Sequence, residues 1–138
     1  MAHKRILLAD DDADDKMIIK DAIQLVSNDD VIYFTENGEQ TLQILNENYD
    51  QGELPCLVVL DLNMPRMNGT ETLRHIKNDE RFKDIPVIIY STSINPLEKE
   101  KCLLLGAHSY ITKPISFKES METAKQFFEF CISHTVLE

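Results

Sequence analysis

Five short, unbroken apolar runs, each followed by a segment with helical spacing, constrain this chain more than any other feature it has. The runs are Arg5–Ala9, Val31–Thr35, Leu57–Leu60, Pro86–Tyr90 and Ser109–Thr112. They are rich in β-branched or aromatic residues and do not alternate with polar ones, so each reads as a strand covered on both faces. Between them, Asp14–Ser27 places Ile18, Ala22, Leu25 and Val26 on one stripe, and Gly38–Tyr49 does the same with Leu42, Ile44 and Leu45. Asn68–Asn78 carries Leu73 and Ile76, and Pro96–Gly106 carries Leu103 and Leu104 and stops at a glycine. Phe117–His134 repeats Phe117, Met121, Ala124, Phe128 and Cys131 at steps of four and three. Strand and helix alternating through short joints predict a parallel sheet with right-handed crossovers and helices on both faces. The expected fold is α/β, a doubly wound (βα)5 flavodoxin-like arrangement with strand order 2-1-3-4-5.

Two Asn-Gly pairs, Asn37-Gly38 and Asn68-Gly69, would alone signal hairpins. The segment after each pair has a period of 3.6, so the asparagines are read as helix N-caps. The polar stretch Glu47–Glu53 reads as a loose surface loop. The 138 residues match one domain with a core large enough to stand without a bridge or structural metal, and residues 1–138 are expected to form that single domain with no output domain.

A net charge of −10 repels phosphate backbones and anionic lipids, which disfavours binding to nucleic acid or membrane. The amino end is too short and too soon acidic for a signal peptide, and no apolar run approaches the roughly eighteen residues of a membrane span. The three cysteines, Cys56, Cys102 and Cys131, are odd in number and set among apolar residues, so they read as reduced thiols and the chain as cytoplasmic. His3, His75, His108 and His134 share no ligand spacing and read as incidental.

The chemistry gathers at strand ends. Asp10, Asp11 and Asp12 follow the first run, Asp61 the third, Ser91 and Thr92 the fourth, and Lys113 the fifth. In an open parallel sheet these ends share one edge, and the winding reverses between the first and third strands, so Asp10 and Asp11 meet Asp61. Carboxylates so close repel unless a cation holds them together. Mg²⁺ fits best, because it takes one or two carboxylates with water and a phosphate oxygen. Lys113 then offers a point charge and Ser91 a hydroxyl to a phosphoryl group, and no Gly-rich nucleotide cradle is present. The simplest chemistry is transfer of one phosphoryl group onto a protein carboxylate, with Asp61 the candidate nucleophile. Asp14 and Asp15 read as ordinary first-turn acids stabilised by the helix dipole.

Leu-Leu-Ala-Asp-Asp-Asp (7–12), Leu57–Gly69, Pro86–Thr92 and Tyr-Ile-Thr-Lys-Pro (110–114) together resemble the CheY-like receiver domain of two-component response regulators, over nearly the whole chain. The resemblance implies that Asp61 is the phosphoacceptor, that Asp11, Asp61 and the Asn63 carbonyl ligate Mg²⁺ (with Mn²⁺ a substitute), and that Asp10 supports the ion through water. It implies that Lys113, the Ser91 hydroxyl and the backbone amides of Asn63 and Thr92 hold the phosphoryl oxygens. Ser91 and Tyr110 would form the switch, and the Lys113-Pro114 bond would be cis. Implied partners are a sensor histidine kinase or phosphotransfer protein and a downstream protein. The chain looks similar to stand-alone receivers with a long polar loop before the third strand, some of which partner phytochrome-type kinases. Phe127 and Phe130 lie off the core stripe of the last helix, so that helix, Tyr110 and the fourth helix are read as a protein-binding or homodimer face. Two other classes compete: a haloacid-dehalogenase-like phosphohydrolase, whose nucleophile would follow the first strand, and a phosphorylation-independent interaction module.

Overall fold

The computed structural model describes residues 5–27 and 31–135. Its elements are β1 (Ile6–Ala9), α1 (Ala13–Val26), β2 (Ile32–Thr35), α2 (Gly38–Asp50), β3 (Leu57–Leu60), α3 (Gly69–Lys77), β4 (Val87–Ser91), α4 (Pro96–Leu104), β5 (Ser109–Thr112) and α5 (Phe117–Thr135). The strands form one sheet in the order β2-β1-β3-β4-β5, every neighbouring pair parallel, as the alternation predicts. The helices start where the asparagines and one aspartate place them. The side chains of Asn37 and Asn68 accept from the backbone N–H groups of Gln40 and Glu71, and Asp12 caps α1 through Asp14 and Asp15. Pro96 opens α4 behind the cap Asn95, and Gly106 follows that helix at φ +110°, which a side chain would resist.

Alternate residues of the central strands feed two cores. Leu7, Ala9, Val58, Leu60, Val87 and Ile89 pack with Leu45, Leu73, Ile76 and Cys102 beneath α2, α3 and α4. Ile6, Leu8, Leu57, Val59, Ile88 and Tyr90 pack with Ile19, Ala22, Ile23, Ala124, Phe127 and Cys131 beneath α1 and α5. Burial on both faces explains why β1, β3 and β4 read as continuous apolar runs. β5, at one edge, is half-buried at Ser109, Tyr110 and Ile111 and exposed at Thr112, because it has only one strand neighbour.

Several expectations are corrected. In α1 the buried stripe is Ile19, Ala22 and Ile23, while Ile18 and Leu25 are exposed. The run Met17-Ile18-Ile19 supports either stripe by period alone, and the packing of α1 on both α5 and the sheet selects the second. In α4 only Cys102 is buried, and Leu103 and Leu104 face outward. In α5 Phe127 is 0% exposed and meets the Tyr90 ring edge-to-face at 5.6 Å, while Phe130 packs partly on the same core beside His108. These aromatics therefore fill the layer beneath α5, where the two-sided contact of that helix with α1 and the sheet needs a wider apolar face. Residues 47–50 complete α2 and only the remainder of the polar stretch is loop.

Cys56 and Cys131 are paired rather than free. The residue before β3 and the last turns of α5 come together on one face, with Cα atoms 5.3 Å apart, within the range a disulfide spans. Cys102 remains a buried thiol. No cis peptide bond occurs among the described residues, so Lys113-Pro114 is trans, the lower-energy form of such a bond by about 0.5–1 kcal/mol. His3 and the side chain of His134 lie outside the described residues.

Candidate functional site

The register of the sheet builds the site. Ala9 pairs with Leu60, so the next residues, Asp10 and Asp61, leave β1 and β3 side by side, and the Asp61 N–H donates to the Ala9 carbonyl at 3.0 Å. Ser91 pairs with Thr112, so Lys113 leaves β5 beside the end of β4, its N–H donating to the Ser91 carbonyl at 2.8 Å. All of these residues belong to the carboxyl edge of the sheet, and Asp10 and Asp61 leave it at the point where the winding turns from β1 to β3.

Lys113 is the hub. Its side chain is 7% exposed, and its ammonium donates to Asp10 Oδ2 at 2.7 Å, Asp15 Oδ2 at 2.8 Å and Asp61 Oδ2 at 3.3 Å, with the Tyr90 ring centroid 5.7 Å away. Burial opposes the charge on this lysine, but the hydrogen bonds to Asp10 and Asp15 and the surrounding carboxylates outweigh it, and its pKa is raised. Asp10 is buried and uses its second oxygen, Oδ1, to accept from the Asp12 N–H at 2.9 Å. Asp61 is buried as well. Desolvation pushes its pKa up to about 6, Lys113 acts against that rise, and Asp10 adds to it.

One ligand oxygen from each of Asp10, Asp11 and Asp61 lies within 4.8 Å of the other two. An all-oxygen set of three carboxylates, two of them buried, fits a hard divalent cation and suits softer metals poorly. The structure thus brings together Asp10, Asp11, Asp61 and Lys113 as the spacing predicts. The Asn63 N–H points at Asp61 Oδ1 from 3.5 Å. Ser91 is fully buried at the end of β4, its Oγ accepting from the Ser93 N–H at 3.2 Å, and Thr92 is exposed beside it. The Tyr110 hydroxyl donates to the Ser93 carbonyl at 2.8 Å, which ties the β5 aromatic to the loop after Ser91.

Two residues that sequence reasoning passed over shape this edge. Asp15 is not a free first-turn acid, because it shares the Lys113 ammonium; its place at the third position of a helix that starts on the ligand edge was the available signal. Gly69 opens α3 against the backbone of Asp61 itself, and a Cβ there would stand 2.2 Å from the Asp61 carbonyl oxygen. Only glycine lets the β3–α3 loop close down beside Asp61.

Known proteins share this architecture. The family model described as the response regulator receiver domain matches residues 6–125. The chain is 32% identical over 121 residues to the chemotaxis protein CheY1 of Helicobacter pylori, covering 86% of this chain and 94% of that one. The crystal structure of the phosphorylated cyanobacterial phytochrome response regulator RcpA superposes with a TM-score of 0.84 at 33% identity, over 96% of both chains. The Mn²⁺-bound form of response regulator Rcp1 does so with a TM-score of 0.80 at 28% identity, over 92% of this chain and 93% of that one.

Proposed function

The chain belongs to the response regulator receiver family, the phosphoacceptor modules of two-component signalling, and from that membership we propose that Asp61 is its phosphoacceptor. The observation that carries the reading is the convergence of a buried aspartate, two further carboxylates within 4.8 Å of it and a lysine ammonium 3.3 Å from its oxygen.

In this reading an Asp61 carboxylate oxygen forms a new P–O bond as the P–N bond of a phosphohistidine donor breaks, giving an acyl phosphate. Asp11, Asp61 and the Asn63 carbonyl would hold Mg²⁺ or Mn²⁺, with Asp10 in support, and a similar response regulator, Rcp1, is known in an Mn²⁺-bound form. The ion supplies neutralisation of charge on the phosphoryl oxygens. Lys113 pairs with one phosphoryl oxygen, the Ser91 hydroxyl donates to another, and the amides of Asn63 and Thr92 supply the remaining donors. The movement of Ser91 draws the β4–α4 loop with it, and Tyr110, bonded to Ser93 in that loop, carries the change to the β5 face. Loss of the phosphoryl group is self-catalysed hydrolysis at Asp61.

Receiver domains take phosphoryl groups from histidine kinases or phosphotransfer proteins. Likeness to the phytochrome response regulator RcpA supports a phytochrome-type kinase as donor. Output runs through altered protein contacts, and the outward Leu97, Leu103 and Leu104 of α4 support that helix with β5 as the contact face, including one between two copies of the chain. No helix among the described residues is long and apolar enough to cross a membrane. The phosphohydrolase reading is not favoured, since the receiver-domain family model spans residues 6–125 and the relatives match over most of the chain.

The test is incubation with Mg²⁺ and a small acyl or amidophosphate donor, then measurement of intact mass. The expected result is one added phosphoryl group, absent from Asp61→Asn. Turnover of many phosphomonoesters would point to the hydrolase, and the absence of any adduct to the inert module.

A further inference from the structure

We propose that Asp15 is a positioning residue that acts through Lys113, a competing counter-ion that holds back part of the ammonium's charge and so sets how tightly a phosphoryl group on Asp61 is retained. The inference rests on the phosphoacceptor reading above and deepens it.

An ammonium has three N–H donors and no more. On Lys113 all three are committed, and the two short contacts go to Asp10 and Asp15 while the contact to Asp61 is the longest. A phosphoryl group on Asp61 therefore meets a lysine whose charge is already shared. The two short partners differ in their freedom. Asp10 is buried, and its other oxygen is bonded to the Asp12 N–H, so it cannot turn away without losing both bonds in a dry site. The side chain of Asp15 is 34% exposed and has water at hand, so it can let go of Lys113 and be solvated.

Nothing in the fold of α1 requires that bond. Asp12 caps the helix through the backbone N–H groups of Asp14 and Asp15, and these bonds do not involve the Asp15 carboxylate. Nor does Asp15 belong to the group of Asp10, Asp11 and Asp61 whose oxygens converge to hold a cation. Among the described residues, the hydrogen bond that ties its carboxylate to the site is the one from Lys113. A charge at that place opposes the arrival of another anion on the same ammonium, and its removal leaves the fold and the cation ligands in place.

The experiment is calorimetric titration of the Mg²⁺-saturated full chain with beryllium fluoride, a stable stand-in for the phosphoryl group. Asp15→Asn is expected to bind it about three- to tenfold more tightly than the wild type. Asp15→Glu, which keeps the charge, returns toward the wild-type value. Asp14→Asn, the same charge loss on the exposed neighbouring residue, stays within about twofold. Equal or weaker binding by Asp15→Asn, or an equal gain from Asp14→Asn, would overturn this inference alone. Failure of the wild type to bind beryllium fluoride at all would bring down the phosphoacceptor reading and this inference with it.

Discussion

The two ends of β3 obey opposite rules. At its amino end Leu57 is fully buried between Ile6 of β1 and the helices beneath, and Cys56 just before it is paired with Cys131 of α5. At its carboxyl end, four residues on, Asp61 is buried beside another aspartate. The first end gains stability from every contact. The second keeps carboxylates together against their mutual repulsion, and only a cation or a lysine shared among three acids makes that arrangement bearable. One strand therefore gives up at its carboxyl end part of the stability gained at its amino end.

Four measurements sharpen or break this contrast. Leu57→Ala should have the largest effect, lowering stability by about 2–5 kcal/mol in a urea titration, the usual cost of a core cavity. A cost below about 1 kcal/mol would show that the amino end does not anchor the strand. Reduction of the Cys56–Cys131 pair, which closes a loop with a sequence separation of 75, should lower stability by about 2–4 kcal/mol. Cys131→Ser should then melt like the reduced wild type, and an unchanged midpoint under reductant would mean that the two cysteines do not bridge in solution.

At the other end the sign reverses. The pKa of Asp61 is raised on folding, so the native state holds this proton up to a higher pH than the unfolded chain does. Stability is therefore lost as pH rises from about 4 to about 6 and does not return above that. Asp61→Asn should stabilise the metal-free protein at about pH 7.5, an advantage that fades toward about pH 4. Added Mg²⁺ should narrow the gap by stabilising the wild type. A variant no more stable than the wild type at neutral pH would remove the contrast. The smallest effect belongs to Asp12→Ala, which loses the α1 cap at a cost of about 1 kcal/mol. Its melting curve should fall below those of Asp14→Asn and Asp15→Asn, which leave the cap intact.

The fold was legible where local pattern and global packing agree. The runs at Leu57–Leu60 and Ser109–Thr112 coincide with strands, and Asn37 and Asn68 cap helices where they stand. The pattern misled where neighbouring residues offered two faces. Ile18 and Ile19 are equally apolar, and Phe127 adjoins Phe128, so period alone could not choose between them. In the candidate site, Asp10, Asp11, Asp61 and Lys113 were legible because strand ends in a parallel sheet must share an edge. Asp15 was not, since its role depends on a lysine 98 residues away reaching across that edge.

The sequence by itself determined the alternation of strand and helix, the caps that start the helices and the set of polar residues that end the strands. These are properties of neighbours along the chain, governed by backbone geometry and side-chain period. Only the tertiary structure decided which face of α1 and α5 turns inward, that Cys56 meets Cys131, and that three carboxylates divide one ammonium among them. Such contacts join residues distant in sequence, and their energies depend on how closely charge and apolar surface approach once water has been removed.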